Sequence, residues 1–217
     1  MRAPTQAAAV AAIGGSDDEL GQALALLRSA GCAEPEALTV AEGDRLLLAL
    51  HRALVGTDIE IAAQCAGCDT VNVATLSSQT VPEAYGRSAW LGPGVGLRQP
   101  TYGDLLDLPP DPDLAEAQLL ERCTIGTPAD PVRAEQIELV DDALTGPVVL
   151  ACVECGRLLE TPADAQRLVL DGLRRCAETL DLELHVLAST YGWSLAEIES
   201  LPDDRRRRLV SLVADGR

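Results

Sequence analysis

The sequence contains no phenylalanine and no lysine, and its 217 residues include only two tryptophans, three tyrosines and two histidines. A core without phenylalanine has to be built mainly from leucine, valine and alanine. Hydrophobic residues nevertheless make up 47% of the chain, which excludes disorder as a description of the whole protein. With so few histidines, a histidine-based catalytic triad or a histidine-rich metal site has little to draw on.

Positive charge is also scarce, because 17 basic residues, all arginine, face 34 acidic ones and give a net charge of −17. Phosphate contacts supply most of the affinity for nucleic acid, so this charge opposes binding to nucleic acid or to anionic lipid. No apolar run approaches the roughly 20 residues of a membrane span. We expect no nucleic-acid partner and no membrane span, but a protein able to dock on a basic partner.

The cysteine count and the first residues indicate a reducing compartment. Seven cysteines are an odd number, and residues 1–15 are alanine-rich with one arginine and a weak apolar centre. This composition predicts a disordered lead-in rather than a signal peptide. We therefore expect a cytoplasmic protein, in which paired Cys-x-x-Cys motifs hold metal more often than disulfides.

Two such motifs, at residues 65–68 and 152–155, each lie between strand-like runs. Ile59 and Ile61 alternate with acidic residues before the first, and a short apolar run, residues 148–151, precedes the second. Two knuckles of this kind can close one tetrahedral site, whose usual occupant is structural zinc. The sequence predicts a zinc-ribbon-like pair of hairpins, split by a long insertion, in which Zn²⁺ is bound by Cys65, Cys68, Cys152 and Cys155.

Other readings of the cysteines stay open at this point. The chain is also compatible with a zinc-ribbon adaptor that binds nucleic acid or another protein, and with unmetallated cysteines. A thiol oxidoreductase is less favoured, since its nucleophile usually lies at a helix N-terminus and strands follow both motifs here. The remaining cysteines, Cys32, Cys123 and Cys176, lie on or next to apolar helical faces, so we expect them to pack as small buried residues. The two histidines, His51 and His185, lie in leucine-rich helices and are expected to be satisfied helix residues rather than ligands or bases.

Capping signals and leucine spacing predict helices on both sides of the hairpins. Boxes begin at Ser16, Thr39 and Ser194, and Thr161 is the predicted cap of a long helix ending near Gly192. The fold class is therefore α+β and mainly helical. Its predicted parts are the lead-in (1–15), an N-terminal helical part (16–56), the hairpins (57–76 and 147–161), a mixed insertion (77–146) with a helix over 131–143, and a C-terminal helical part (162–217).

The C-terminal part holds the candidate partner-binding residues. If residues 205–208 are helical, only the first and last of these four arginines share a face, and Asp203 and Asp204 offset their charge. That pattern favours a solvated or partner-docking face over a nucleic-acid patch. The aromatic residues before it fit either core packing or a partner contact. The candidates are Tyr191, Trp193, Arg205 and Arg208, and no catalytic residue is predicted.

The order of these parts resembles a known family. The stretches that carry the resemblance are residues 46–58, 152–156, 183–188, 191–194, 197–198 and 205–208. They are similar to the baseplate or baseplate-hub assembly proteins of the T-even phage type, relatives of which are encoded with contractile injection systems. Two positions depart from that pattern, because Asp69 stands where glycine is common and Val153 where proline is frequent.

The resemblance implies a non-enzymatic role and no catalytic residue. It implies that the protein helps to assemble a baseplate hub or remains in the baseplate, and that its partners are other baseplate, spike or tube proteins. It also implies a location in the cytoplasm or within an assembled tail-like particle. Zinc would then be a structural cofactor.

Overall fold

A computed structural model of the chain describes residues 3–78, 88–128 and 132–216. Helices dominate and the strands form small antiparallel sheets, so the predicted α+β class is confirmed. The helices are α1 (Gln6–Ile13), α2 (Glu19–Ser29), α3 (Val40–Leu54), α4 (Tyr102–Leu105), α5 (Pro112–Cys123), α6 (Ala165–Tyr191), α7 (Leu195–Glu199) and α8 (Asp203–Ala214). The strands are β1 (Asp58–Gln64), β2 (Val71–Ser77), β3 (Ser88–Gly92), β4 (Val95–Arg98), β5 (Thr124–Ile125), β6 (Thr145–Ala151) and β7 (Leu158–Asp164).

The main core lies between α2, α3 and the first half of α6. Its leucines recur at helical spacing, so each helix presents one apolar stripe to the others. Where α3 meets α6, a glycine is required, because a Cβ at Gly172 would lie 2.5 Å from Nε2 of the buried His51. His51 Nδ1 contacts the Gly56 carbonyl oxygen at 3.1 Å, whereas Nε2 has no partner among the described residues. The fully buried leucines of this core include Leu26, Leu27, Leu47, Leu170 and Leu173.

The start of the chain differs from the predicted disordered lead-in. Residues 6–13 form α1, which Thr5 caps by accepting a hydrogen bond from the Ala8 N–H. Alanine has the highest helix propensity, and Ala9 and Ile13 are buried in the main core, which stabilises this short helix. The next helix starts later than predicted, because Asp18 rather than Ser16 is its N-cap.

The two hairpins have the strand–knuckle–strand order predicted from the sequence. β1 pairs with β2, and β6 pairs with β7, each in an unbroken antiparallel register. The second hairpin is longer than predicted, since β7 continues through Thr161 and Pro162. Asp164 therefore caps α6 instead of Thr161, and its side chain accepts a hydrogen bond from the Arg167 N–H at 2.8 Å.

The insertion is a small mixed unit. β3, β4 and β5 form one sheet, and the Arg98–Asp104 ion pair at 2.5 Å joins β4 to α4. The helix predicted over 131–143 is a 3₁₀ helix, Ala134–Leu139, and residue 131 lies outside the described residues. Val140 is fully buried after it, while Leu139 is 57% exposed.

A buried carboxylate ties the second hairpin to the helices. Asp44 of α3 has no exposed surface and accepts hydrogen bonds from the Tyr102 hydroxyl and the Leu144 N–H, both at 3.1 Å, and from Gln166 Nε2 at 3.5 Å. Burial raises its pKa. Leu144 directly precedes β6 and Gln166 opens α6, so Asp44 fixes where both ends of the second hairpin leave the helical core.

The C-terminal helices pack around an arginine that the sequence did not single out. Arg206 is fully buried and pairs with Glu183 at 2.7 Å and Asp203 at 2.8 Å. It also donates to the Gln6 side chain at 2.9 Å, and Asp203 accepts from the Gln6 N–H at 3.1 Å. This network joins α1, α6 and α8.

Among the residues that the structure describes, none of the helices combines the length and the apolar character that a membrane span needs.

Arg206→Met is expected to destabilise the protein by about 3–5 kcal/mol, because removing one partner of a buried ion pair leaves the other charge uncompensated. Arg205→Met is the matched control on the exposed side of the same run, and a surface change of this kind stays within about 0.5 kcal/mol. Urea unfolding of both variants and of the wild type measures the difference. Equal losses in the two variants would contradict the network.

Candidate metal centre

The tips of the two hairpins bring four cysteines together. Cys65 and Cys68 lie in the turn of the first hairpin, and Cys152 and Cys155 lie in the turn of the second. Their four sulfur atoms all lie within 4.8 Å of one another. The expected convergence of two motifs far apart in the chain is confirmed. One cysteine of each motif is buried and the other exposed, so the cluster lies at the surface with two sulfurs facing solvent.

The spacing of the sulfurs fits a tetrahedral ion. Zn–S bonds of about 2.3 Å place neighbouring sulfurs roughly 3.8 Å apart. The pairs Cys65–Cys155, Cys68–Cys152 and Cys68–Cys155 are each separated by 3.6 Å. Four thiolate donors at this separation form a donor set that could hold a metal ion of the zinc class.

The backbone builds the two knuckles in the same way. Cys65 and Cys152 each donate a backbone hydrogen bond across the hairpin, to the carbonyls of Thr70 and Arg157. Each then accepts one, from the N–H of Asp69 at 2.8 Å and of Gly156 at 2.9 Å. The two knuckles therefore place their first cysteine in equivalent positions.

Asp69 adopts a backbone conformation that glycine usually takes. Its φ is 58°, close to the 70° of Gly156 at the equivalent place in the second knuckle. Aspartate tolerates the left-handed region better than most residues. The turn geometry of the first knuckle is therefore retained without a glycine.

The sulfurs differ in their affinity for protons. Backbone N–H groups, first that of Cys155 and then that of Glu154, lower the pKa of Cys152 to about 6. The Gly67 N–H, 3.4 Å from its sulfur, lowers the pKa of Cys65. The Arg157 N–H lowers the pKa of Cys155, but the three surrounding sulfurs outweigh it and raise the pKa to about 11. Negative charge on the cluster thus resists the last deprotonations, and a bound cation would relieve that repulsion.

Asn72 is a site residue that sequence reasoning missed. It is buried, with its Nδ2 3.7 Å from the Cys152 sulfur and 3.0 Å from the Thr70 carbonyl oxygen. Its Oδ1 accepts a hydrogen bond from the Val153 N–H at 2.9 Å. Proline has no N–H, so this contact depends on a residue other than proline at Val153. Asn72 therefore spans the two hairpins beside the sulfurs.

The alternation of polar and apolar residues along β2 could have indicated that Asn72 is buried. Val71 and Val73, its neighbours on β2, are each 62% exposed, so the polar residue faces inward and the apolar ones outward. This inverts the usual arrangement. Inside, Cys65, Cys152 and Leu159 form a small buried cluster, against which Ala63 and Leu150 pack.

The remaining cysteines lie elsewhere. Cys123 is buried and Cys32 and Cys176 are partly buried, which agrees with their predicted packing roles. Burial raises the pKa of Cys123 to about 11 and also raises that of Cys176. Both are therefore protonated thiols at neutral pH and weak nucleophiles.

The candidate partner-binding residues are separate from the cysteine cluster. Tyr191 and Trp193 stack with ring centroids 4.9 Å apart, and Trp193 packs against the C-terminal cluster around Leu187 and Ile198. Tyr191 is 39% exposed. Arg205 and Arg208 are exposed on α8, on either side of the buried Arg206. Their role in partner binding stays a prediction.

Comparison with known proteins adds no relative: no family, no curated protein and no solved structure matches this chain.

Asn72→Ala is expected to weaken metal binding by about 10–100-fold, because outer contacts of this kind orient metal ligands. Thr75→Ala, an exposed position three residues farther along β2, is the matched control and is expected to leave the affinity unchanged. Competition between the protein and a chromophoric zinc chelator measures both. Equal affinities for the two variants would show that Asn72 does not act on the ligands.

Proposed function

We propose that the protein is a non-enzymatic component or assembly factor of a contractile tail baseplate, held in shape by one structural zinc ion. Cys65, Cys68, Cys152 and Cys155 hold the ion, and the hairpins present surfaces to other baseplate, spike or tube proteins. The convergence of these four sulfurs is the observation that carries the zinc part of the proposal.

A structural role for the metal is supported by its place in the fold. An isolated two-stranded hairpin is at best marginally stable, and here two such hairpins lie side by side without a shared ladder. Structural zinc contributes roughly 10–16 kcal/mol in small peptides at neutral pH, which is enough to decide whether the hairpins form. A catalytic zinc site keeps one position open for water, whereas four cysteines fill all four positions.

A role in protein assembly is supported by charge and by the family resemblance. The net charge of −17 favours basic protein surfaces as partners and opposes nucleic acid. The hairpins carry six acidic residues and a single arginine, Arg157, which argues against a nucleic-acid adaptor. The raised pKa values of Cys123 and Cys176 argue against thiol catalysis at those positions. The baseplate assignment itself depends on the residues that resemble the T-even type of hub assembly protein.

The purified protein is expected to contain about one zinc ion per chain, and chelation is expected to unfold the hairpins while the main helical core persists. Cys68→Ser is expected to lose most of the metal, because it removes one of four ligands. Cys32→Ser, which changes a cysteine outside the cluster, is the control and should retain it. Elemental analysis and circular dichroism measure both, and a metal-free wild-type protein with intact hairpins would contradict the proposal.

The baseplate role predicts that the tagged protein co-purifies with an intact sheathed particle or with its baseplate intermediates from cells that assemble one. Zinc is measured on the same sample. Deletion of the gene is expected to prevent the assembly of tubes and sheaths on baseplates. Absence of the protein from both particles and intermediates, with assembly unaffected by the deletion, would refute this role.

A further inference from the structure

The outward face of the second hairpin is apolar. Cross-strand partners point to the same side of a sheet, and the register of β6 and β7 places three pairs on this face: Pro147 with Pro162, Val149 with Glu160, and Ala151 with Leu158. All six residues are exposed, and Glu160 is the only polar one among them. Antiparallel sheets usually turn polar side chains to solvent, so this hairpin inverts the common arrangement.

The three pairs form one continuous strip. Cys152 donates its backbone N–H to the Arg157 carbonyl, and hydrogen-bonded pairs alternate along the ladder from there. The pairs of the outward face therefore fall at the positions without ladder bonds, where opposite side chains approach each other most closely. Val149 and Leu158 are 58% and 71% exposed within this strip, and Val153, at the tip beyond it, is 78% exposed.

The two prolines favour contact with the face over contact with the edges. At a pair without ladder bonds the backbone groups point to the two outer edges of the hairpin, and Pro147 and Pro162 offer no N–H there. Strand addition at either edge would lack a donor at this point. Proline side chains also lose almost no rotamer entropy when they are covered, so the face is ready to bind without further ordering.

An open cavity of about 550 Å³ lies at the proline end of this face. Its lining comprises Thr145, Gly146, Pro147, Glu160, Pro162, Ala163 and Asp164. The charged groups among these residues are the two carboxylates, and no basic side chain is included. Asp164 accepts the hydrogen bond that caps α6, whereas the Glu160 carboxylate has no hydrogen bond or ion pair with any described residue.

The arginine of the second hairpin does not offset this charge. The Arg157 side chain lies over the first knuckle, where a Cβ at Gly67 would come within 3.0 Å of its Cζ. Glu154, which is exposed next to Val153, adds a further carboxylate at the tip. The outward face and its cavity therefore combine exposed apolar side chains with negative charge alone.

We propose that the outward face of the second hairpin binds a segment of another protein in which an arginine or lysine lies next to apolar side chains. The apolar side chains cover Val149 and Leu158, and the cation enters the cavity, with its stem against the prolines and its charge beside Glu160. An exposed apolar patch with a polar border is typical of an interaction site. This inference gives the partner a chemical class and rests on the assembly role proposed above.

A second copy of this chain is a poorer occupant. A two-fold contact brings the same patch of both copies together. The carboxylates of Glu160 and Asp164 would then face the carboxylates of the copy, with no cation between them. Charge complementarity thus selects a different protein with a basic residue in its contact segment.

The partner is identified by photo-crosslinking in cells that produce the protein naturally. A photo-reactive phenylalanine analogue is introduced at Leu158 of the full-length chain. The matched control carries it at Leu182, which is 63% exposed on α6 and lies outside the face. Cross-links from position 158 are expected to reach a segment of another protein that contains a basic residue next to apolar ones. Cross-links from position 182 are expected to miss that segment.

Binding of the purified partner to the purified, zinc-loaded protein then tests each contact. Leu158→Ser and Glu160→Gln are each expected to weaken binding by about tenfold, as expected for contacts that carry much of the binding energy. Glu178→Gln, at an exposed carboxylate of α6, is the control and is expected to bind as the wild type does. Replacing the partner's basic residue with glutamine is expected to cost about tenfold with the wild type and little with Glu160→Gln, because that variant has already lost the charge pair. Zinc content and circular dichroism establish that every variant is folded.

Several results would overturn the inference. They are no cross-link from position 158, a cross-link to a second copy of this chain, a cross-linked segment without a basic residue, or equal partner binding by Glu160→Gln and the wild type. Wild-type binding to phosphatidylcholine vesicles that Leu158→Ser abolishes would identify lipid as the occupant and would also overturn it.

The binding face and the baseplate role fail separately. A partner that meets these criteria but belongs to no tail-like particle would support the binding face and refute the baseplate role. Co-purification with the particle, without any cross-link from position 158 in it, would support the baseplate role and refute the binding face.

Discussion

The meeting of four sulfurs at the tips of two hairpins is the constraint on which the surrounding structure depends. The sulfurs of Cys65, Cys68, Cys152 and Cys155 all lie within 4.8 Å of one another, and the neighbouring sulfurs raise the pKa of Cys155 to about 11. A bound cation would offset the repulsion between thiolates at this separation, whereas the small apolar cluster around Leu159 cannot. The tips are therefore expected to be the part of the fold that responds most strongly to the loss of a metal ion.

The helices provide the buried contacts and hydrogen bonds that hold the base of the hairpins. Ile59 is buried in the main helical core, and Asp44 holds the segment that leads into β6 together with the start of α6. α6 continues past this core to the Arg206 network, where α1 and α8 join it. The long helix α6 thus connects the main helical core, which holds the base of the hairpins, with the C-terminal helices. The four cysteines lie at the opposite end of the hairpins, at their tips.

The sequence predicted those parts that local patterns encode. The capping boxes at Thr39 and Ser194 are both present, as is the helix end at Gly192, whose φ is 66°. The Cys-x-x-Cys spacing likewise predicted the cluster, because short knuckles impose their own geometry. α1 was missed because its alanines have no polar face to mark a helix, and only contact with the core shows that they are buried. Arg206 was missed because its burial depends on a partner, Glu183, that lies on another helix. No local pattern in the sequence shows such a contact.

The two hairpins are joined at their tips by the cysteine cluster and at their base by the helices. Pro147 and Pro162 occupy positions without ladder bonds, so the second hairpin forms although each proline lacks a donor. Near the sulfurs, Asn72 spans both hairpins and keeps them in contact. Farther from the sulfurs, Leu168 and the Arg167–Asp171 pair of α6 lie beside residues of β1 and β7. An ion bound at the tips would therefore hold the two hairpins together at the end that the helical core does not stabilise, and binding only to the folded hairpins would stabilise them.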